Sequence, residues 1–218
     1  MLRVLRFNSF LTYKQPKHFH LYVARHKRAI LIKLEQDVPF STVQHISKWV
    51  TYRDSRRGTY KFRARTRYKA VADLLFSLGL ANYHSVLDLG AGSCQFGRYL
   101  RRLGFHGAYL PVDAVLDGTD LETFNVPTAN FVIAIEVLEH LRAPLRLLSS
   151  MEKAAERAVV ITTPNSETVN VIRCDPTHVS VVHAHELENN RFTVQRESWF
   201  GVPDDSLLAW KPARFQRN

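Results

Sequence analysis

The chain has 218 residues, 45% hydrophobic and 23% charged, with 30 Lys and Arg against 20 Asp and Glu and a formal net charge of +10. These figures suit one ordinary domain, or one domain with a sizeable extension, and exclude wholesale disorder. No run approaches 18 uncharged apolar residues, because Glu136 cuts off Phe131–Ile135, so a transmembrane helix is excluded too. Along the chain the charge is uneven. Residues 1–70 carry 17 Lys and Arg against 3 Asp and Glu, whereas residues 71–218 carry 13 against 17. A basic front third on a mildly acidic body predicts a surface for an anionic partner.

His18 to Asp37 reads as two strands, with Phe19, Leu21 and Val23 alternating before Ile30, Ile32 and Leu34; a helix carrying Ile30, Leu31 and Leu34 competes. Ser41 to Tyr52 predicts a helix opened by a capping box, with Val43, Ile46, Trp49 and Val50 on one face. A basic and aromatic run from Arg53 to Lys69 follows, and Thr66 opens a helix that Gly79 closes. From residue 85 short apolar strands alternate with helices. Strands are expected at Ser85–Leu89, Ala108–Val112, Asn130–Ile135 and Ala158–Thr162, with helices at Gln95–Leu103 and over most of Val137–Arg157. Phe192–Trp199 and Leu207–Trp210 read as a late antiparallel pair at one edge. The fold class is α/β, with a doubly wound, mostly parallel sheet. Arg3, Arg6, Lys14 and Lys17 break up any secretory apolar region, and the two cysteines, Cys94 and Cys174, make neither a disulfide framework nor a zinc quartet. A reducing, cytoplasmic setting is the expectation.

The strongest chemical signal is Val86-Leu-Asp88-Leu-Gly90-Ala-Gly92, which leaves a strand and enters a helix. Glycines there let the backbone turn sharply and approach a ligand at the carboxyl end of the strand. Asp113 closes the next strand, where an acid can hold ribose hydroxyls. A tight turn with no ligand is the plain alternative. Together with Glu136-Val-Leu-Glu139-His140-Leu and Thr163-Pro-Asn165, these residues resemble the class I S-adenosylmethionine-dependent methyltransferases over about residues 66–211.

That resemblance implies a Rossmann-like methyltransferase sheet over residues 66–218, with residues 1–65 as a basic N-terminal extension that binds substrate or forms a lid. It implies Asp88 near the sulfonium end, Leu89, Gly90, Ala91 and Gly92 under the cofactor and Asp113 on the ribose diol. Asp120 and Leu121 would meet the adenine edge, and Glu136 would lie beside the methionine moiety. Two departures stand out. Cys94 occupies the place of a frequent third glycine, where a small buried residue is favoured over a reactive thiol. Only six residues separate Asp113 from Asp120, too few for a crossover helix and its strand, so the sheet is expected to be reduced around the usual third strand.

Methyl transfer from a sulfonium is an in-line displacement that depends mainly on alignment. A base is needed only for a poorly acidic acceptor, and Glu139, His140 and His178 are the candidates. No Pro-Pro-aromatic run follows the third strand, and neither cysteine follows a proline, which argues against base-methylating DNA enzymes and leaves transfer to oxygen or nitrogen. Glu136, Glu139 and His140 at helical spacing, with His178, resemble the divalent-metal set of small-RNA 3′-terminal 2′-O-methyltransferases; a metal-free set of the same residues in small-molecule enzymes is the favoured alternative. His183 and His185 read as surface histidines. The run 53–69 suits RNA, since arginines meet phosphates and aromatics stack on bases; a lid over the cofactor is the competing reading. The expected function is therefore methylation of a polyanion, RNA foremost. A small-metabolite methyltransferase and a catalytically silent nucleic-acid-binding module are the alternatives.

Overall fold

The structure, a computed structural model, describes the backbone of residues 19–25, 28–34 and 57–64, and residues 65–213 in full apart from the Val115 side chain. The helix expected at Ser41–Tyr52 lies outside the described residues. Strands β1 (Phe19–Arg25) and β2 (Arg28–Leu34) pair antiparallel, Phe19 opposite Leu34 and Arg25 opposite Arg28, which decides for strands over the competing helix.

Helix α1 spans Arg57–Ser77, nine residues earlier than the expected start at Thr66 and across the expected boundary at residue 65. Apolar periodicity reports burial rather than helicity, and residues 57–65 alternate basic and aromatic types without an apolar stripe. The stripe begins where the helix meets the body, with Arg67, Val71, Ala72 and Leu75 buried. Gly79, at φ +87°, ends the helix, and the Leu80 N–H returns to the Leu75 carbonyl at 2.9 Å.

The body contains β3 (Ser85–Leu89), α2 (Gln95–Arg102), β4 (Ala108–Val112), α3 (Ala114–Asp117) and β5 (Ala129–Ile135). A 3₁₀ turn (Leu138–His140), α4 (Pro144–Ala154), β6 (Ala155–Pro164), α5 (Val171–Cys174) and α6 (Ala184–Asn189) follow. Strands β7 (Thr193–Glu197) and β8 (Ser206–Pro212) complete the order. One six-stranded sheet runs β4-β3-β5-β6-β8-β7, in which β4, β3, β5 and β6 are parallel and β8 is antiparallel to both neighbours. The late antiparallel pair at the edge is as expected.

Both faces of the central strands are covered, which is why Phe131–Ile135 of β5 and Ala158–Ile161 of β6 are apolar at every position rather than alternately. Phe131, Ile133, Ala158 and Val160 face a cluster with Val71, Leu75, Phe96 and Leu100 from α1 and α2. Val132, Ala134, Val159 and Ile161 face Leu147, Leu148, Met151 and Leu187 from α4 and α6. Between Val112 and Ala129 the described residues hold only the four-residue α3 and turns. No strand there covers β4, which remains an edge with Leu110 exposed, and the reduced sheet is as expected. Among the described residues, no helix is long and apolar enough to cross a membrane.

The helix expected over Val137–Arg157 is corrected. A 3₁₀ turn and an extended Leu141 precede α4, which starts on Pro144, and residues 155–157 already belong to β6. Pro144 cannot donate to a preceding turn and is favoured at the first helical position, so it sets the start.

Candidate active site

The sequence-predicted residues gather at the carboxyl ends of β3, β4, β5 and β6. After Leu89, itself buried, the chain turns because the N–H groups of Gly90 and Ala91 both reach the Val112 carbonyl, at 2.8 and 3.2 Å. Gly90 lies at φ +73°, and a Cβ there would come within 2.4 Å of Val137 Cγ2. The position therefore needs glycine twice over, for its dihedral and for its close approach. Gly92, at φ +55°, donates its N–H to Asp113 Oδ2 at 2.8 Å and so ties the loop to the end of β4. This cradle of bare backbone beside an acid at the end of the neighbouring strand fits a nucleoside cofactor.

Asp88 is buried, and the Tyr109 hydroxyl donates to its Oδ2. Burial pushes its carboxyl up to about 7, against the lowering effect of that hydrogen bond, with the nearby Asp113 raising it further. Tyr109 reaches Asp88 only because residue 97 is glycine: a Cβ there would be 2.3 Å from the tyrosine ring. Cys94 adopts the left-handed conformation at φ 55° that a glycine would take freely. Its half-buried thiol is pushed up by burial and then by Asp88, which keeps it protonated and unreactive.

Asp120 Oδ1 accepts the Glu122 N–H at 3.0 Å, closing its own turn, while Leu121 packs on the cluster that holds Leu89, Val137 and Leu138. Glu122 in turn accepts the N–H of Arg142, which draws this turn against the segment after β5.

Glu136 and Glu139 part company. A shared helix face for Glu136, Glu139 and His140 does not form, because Glu136 takes φ +55° and the next residues wind as a 3₁₀ turn. Glu136 Oε1 accepts the Thr162 hydroxyl at 2.9 Å, and Oε2 lies 3.4 Å from Arg67 Nη1. Glu139 points the other way, fully buried, and accepts the Thr163 hydroxyl at 3.2 Å through Oε2. Burial, and then the charge of Glu136, push its carboxyl well above the usual range. Its Oε1 has no hydrogen-bond donor and faces His178 Nε2 at 3.9 Å.

The 171–180 segment supplies the rest. His178 Nδ1 lies 2.6 Å from the Val171 carbonyl, which places a proton on Nδ1 and leaves Nε2 facing Glu139. Thr177 donates its hydroxyl to Asp175 at 2.6 Å, and its two oxygens lie 3.1 and 3.3 Å from His140 Nδ1. His140 accordingly holds its proton on Nδ1 as well. Glu139, His140 and His178 bring one ligand atom each within 4.8 Å of one another. The side chains of Glu139 and His178 are buried, and His140 is half-exposed. His183 stacks on His185 and lies 2.9 Å from the Ser166 hydroxyl, away from this group.

Sequence reasoning did not single out Arg67, Tyr109, Thr162 or Thr177. Arg67 was one of 17 basic residues in the first 70, and only burial distinguishes it.

The methyltransferase domain family matches residues 60–210. Among solved structures, the Burkholderia thailandensis 1,6-didemethyltoxoflavin-N1-methyltransferase, with bound 1,6-didemethyltoxoflavin and S-adenosylhomocysteine, superposes with a TM-score of 0.59 at 16% identity, over 89% of this chain and 98% of that one. The magnesium protoporphyrin IX methyltransferase of Synechocystis PCC 6803, with bound S-adenosylhomocysteine, gives 0.53 at 13% identity over 80% and 96%. A SAM-dependent methyltransferase from Archaeoglobus fulgidus gives 0.53 at 18% identity over 75% and 99%. At such identities the likeness shows a shared fold. No curated protein matches the chain in sequence.

Proposed function

The chain belongs to the methyltransferase domain family, and from that premise we propose that it transfers the methyl group of S-adenosylmethionine to an oxygen or nitrogen of RNA. The observation that carries the acceptor reading is the course of α1. This helix begins inside the basic and aromatic run 53–69 and ends packed on the body, with Arg67 beside Glu136. An acceptor held by Arg57, Lys61, Arg63 and Arg65 is thereby led toward the ends of β3 and β5. Phosphates bind such clustered positive charge, and bases stack on interleaved aromatics.

The cofactor supplies an electrophilic methyl on a positively charged sulfur. Asp113, the Gly90–Gly92 backbone and the Asp120–Leu121 turn hold the nucleoside, and Asp88, bonded by Tyr109, stands at the sulfonium end. Alignment of acceptor, methyl and sulfur supplies most of the rate enhancement, up to about 7–11 kcal/mol in well-oriented systems. The S–CH₃ bond breaks as the acceptor–CH₃ bond forms, and the acceptor proton passes to His140, whose protonated Nδ1 leaves Nε2 as the basic nitrogen. His178, whose ring meets the His140 ring edge-on at 4.8 Å and whose Nε2 faces the buried Glu139, positions His140 rather than touching the acceptor.

One arrangement favours a metal-assisted form of this reaction on a ribose hydroxyl. Two acceptors, Glu139 Oε1 and His178 Nε2, face each other in a buried site and need a positive charge between them. A proton on Glu139 meets that need, and so does a divalent ion held by Glu139, His140 and His178 with their outer nitrogens oriented by Val171 and Thr177. Such an ion would act as a Lewis acid on the hydroxyls. Glu136, engaged by Arg67 and Thr162, stands outside that set.

The test is transfer of a tritiated methyl group to pools of RNA, DNA and metabolites. Label in RNA is expected, with RNA binding that weakens by orders of magnitude between about 50 and 200 mM salt. Label confined to metabolites would overturn the acceptor reading. EDTA treatment followed by Mn²⁺ or Mg²⁺ addition tests the metal form, which full activity in chelator would end.

A further inference from the structure

We propose that Arg98 and Arg102 on α2 join Arg65 and Lys69 on α1 in a basic tract that carries the RNA backbone away from the cofactor cleft. The proposal rests on the RNA reading of the acceptor and adds the path of the strand beyond the methylated nucleotide.

Charge is the first reason. Residues 71–218 are acidic on balance, yet α2 places three arginines in eight residues. No acid stands between Asp88 and Asp113 to offset them. Arg98, Arg101 and Arg102 are all exposed, while Phe96, Gly97 and Leu100 are buried. Arg101 is committed to the fold, since its guanidinium donates to the Phe105 and Gly107 carbonyls, at 3.0 Å each. Arg98 and Arg102 make no ion pair among the described residues. A cation that meets no counterion on its own surface is available to a phosphate.

Placement is the second reason. Helices α1 and α2 lie side by side, because the Tyr68 ring packs 5.6 Å from Phe96 and 6.3 Å from Tyr99. Arg65 precedes Tyr68 by three positions and Arg102 follows Tyr99 by three, so each shares a helix face with the tyrosine at the seam. Lys69 lies on that side too: its ammonium is pushed up first by the hydrogen bond to Asp73 and, among lesser effects, by Tyr99. Asp73, 2.5 Å from Lys69 Nζ, offsets that charge in part.

Direction is the third reason. Helix α2 leaves the glycine loop at the carboxyl end of β3 and runs back toward the start of β4. Helix α1 runs the same way, from Arg67 beside Glu136 to the Leu80 turn that precedes β3. Arg65 is therefore nearest the mouth of the site and Arg102 farthest from it, with Arg98 about 6 Å before Arg102 along the helix. The basic run on α1 brings the RNA to the reaction centre, and α2 extends the same cationic surface down the side of the body. Chain order conceals this, because the two helices meet only in the fold.

The experiment measures binding of a fluorescein-labelled single-stranded RNA of about 16 nucleotides to the full chain between about 50 and 200 mM salt. Arg98→Gln/Arg102→Gln should weaken binding at least about tenfold at the low-salt end. It should also make the plot of log affinity against log salt shallower by about 1.4, two phosphate contacts at about 0.7 each. Affinity for S-adenosylhomocysteine, read by calorimetry, should stay within about threefold, which verifies that the variant folds. Arg146→Gln/Lys153→Gln removes two exposed charges from α4, across the sheet, and should change the slope by less than about half as much. RNA binding that the α2 variant retains, or that both variants lose equally, would overturn the tract and leave the RNA acceptor standing. A wild type that binds no RNA would instead remove the acceptor reading together with the tract. Binding to phosphatidylserine vesicles that only the α2 variant loses, with RNA binding unchanged, would assign the tract to a membrane surface and overturn the proposal.

Discussion

Asp113 accepts the backbone N–H of Gly92 at 2.8 Å, so the acid that ends β4 and the loop that leaves β3 are one connected piece. Asp113→Ala removes both the tie and the expected ribose contact. Affinity for S-adenosylhomocysteine should fall about 10- to 150-fold by calorimetry, and the apoprotein should melt several degrees lower. A variant that binds as tightly as the wild type would remove Asp113 from the site.

Two glycines with similar dihedrals separate close approach from backbone strain. Gly90 and Gly104 lie at φ +73° and +89°, but a Cβ at Gly90 would strike Val137 whereas Gly104 has nothing within 4 Å. Gly104→Ala should cost about 1–2 kcal/mol for its left-handed backbone alone. Gly90→Ala should cost at least about 1 kcal/mol more, from overpacking, when both are measured by denaturant unfolding. Equal costs would mean that Val137 yields.

Asp88 makes stability depend on pH in a stated direction. Its folded pKa, about 7, is above the ordinary 3.8, so between these values the folded protein holds a proton that the unfolded chain has lost. The associated stability is full below about pH 4 and is lost as pH rises through about 7. Asp88→Asn, which keeps the neutral shape, should flatten that decline in the apoprotein and be the more stable protein at pH 8 by more than about 1 kcal/mol, the value of one pKa unit. Unfolding curves at pH 5 and pH 8 check this.

Tyr109 holds the same carboxyl down by donating to it. Tyr109→Phe should therefore shift the midpoint of the pH-dependent decline upward, as read from stability measured across pH 5–9. A midpoint that moves down, or stays in place, would show that the tyrosine hydroxyl does not govern Asp88.

Glu139→Gln replaces a carboxyl that burial pushes well above the usual range with a neutral group of the same shape. The apoprotein should keep its melting temperature at neutral pH. If a divalent ion sits with His140 and His178, Mn²⁺ should raise the melting temperature of the wild type and not of this variant. Equal shifts in both would place any bound ion elsewhere.

Much of the fold is legible in the sequence because its signals are local. Ser85–Leu89 and Ala108–Val112 are short apolar runs bounded by polar turns, and they form strands at those limits. The short interval from Asp113 to Asp120 rules out a crossover by chain length alone, and the sheet lacks that strand among the described residues. The helix after β5 was not legible in the same way, since Glu136, Glu139 and His140 have helical spacing while Pro144 and the strained Glu136 backbone enforce a 3₁₀ turn.

The sequence by itself determined the α/β order, the glycine turn and the acids at the strand ends, because strand, turn and cap preferences act over a few neighbouring residues. Only the tertiary structure decided the partners: Arg67 with Glu136, Tyr109 with Asp88, His178 with Glu139. Each pair joins residues between 21 and 69 positions apart, and no local pattern records which buried polar group will meet which. Burial selects them, since a polar or charged group taken out of water persists only where the fold supplies its counterpart.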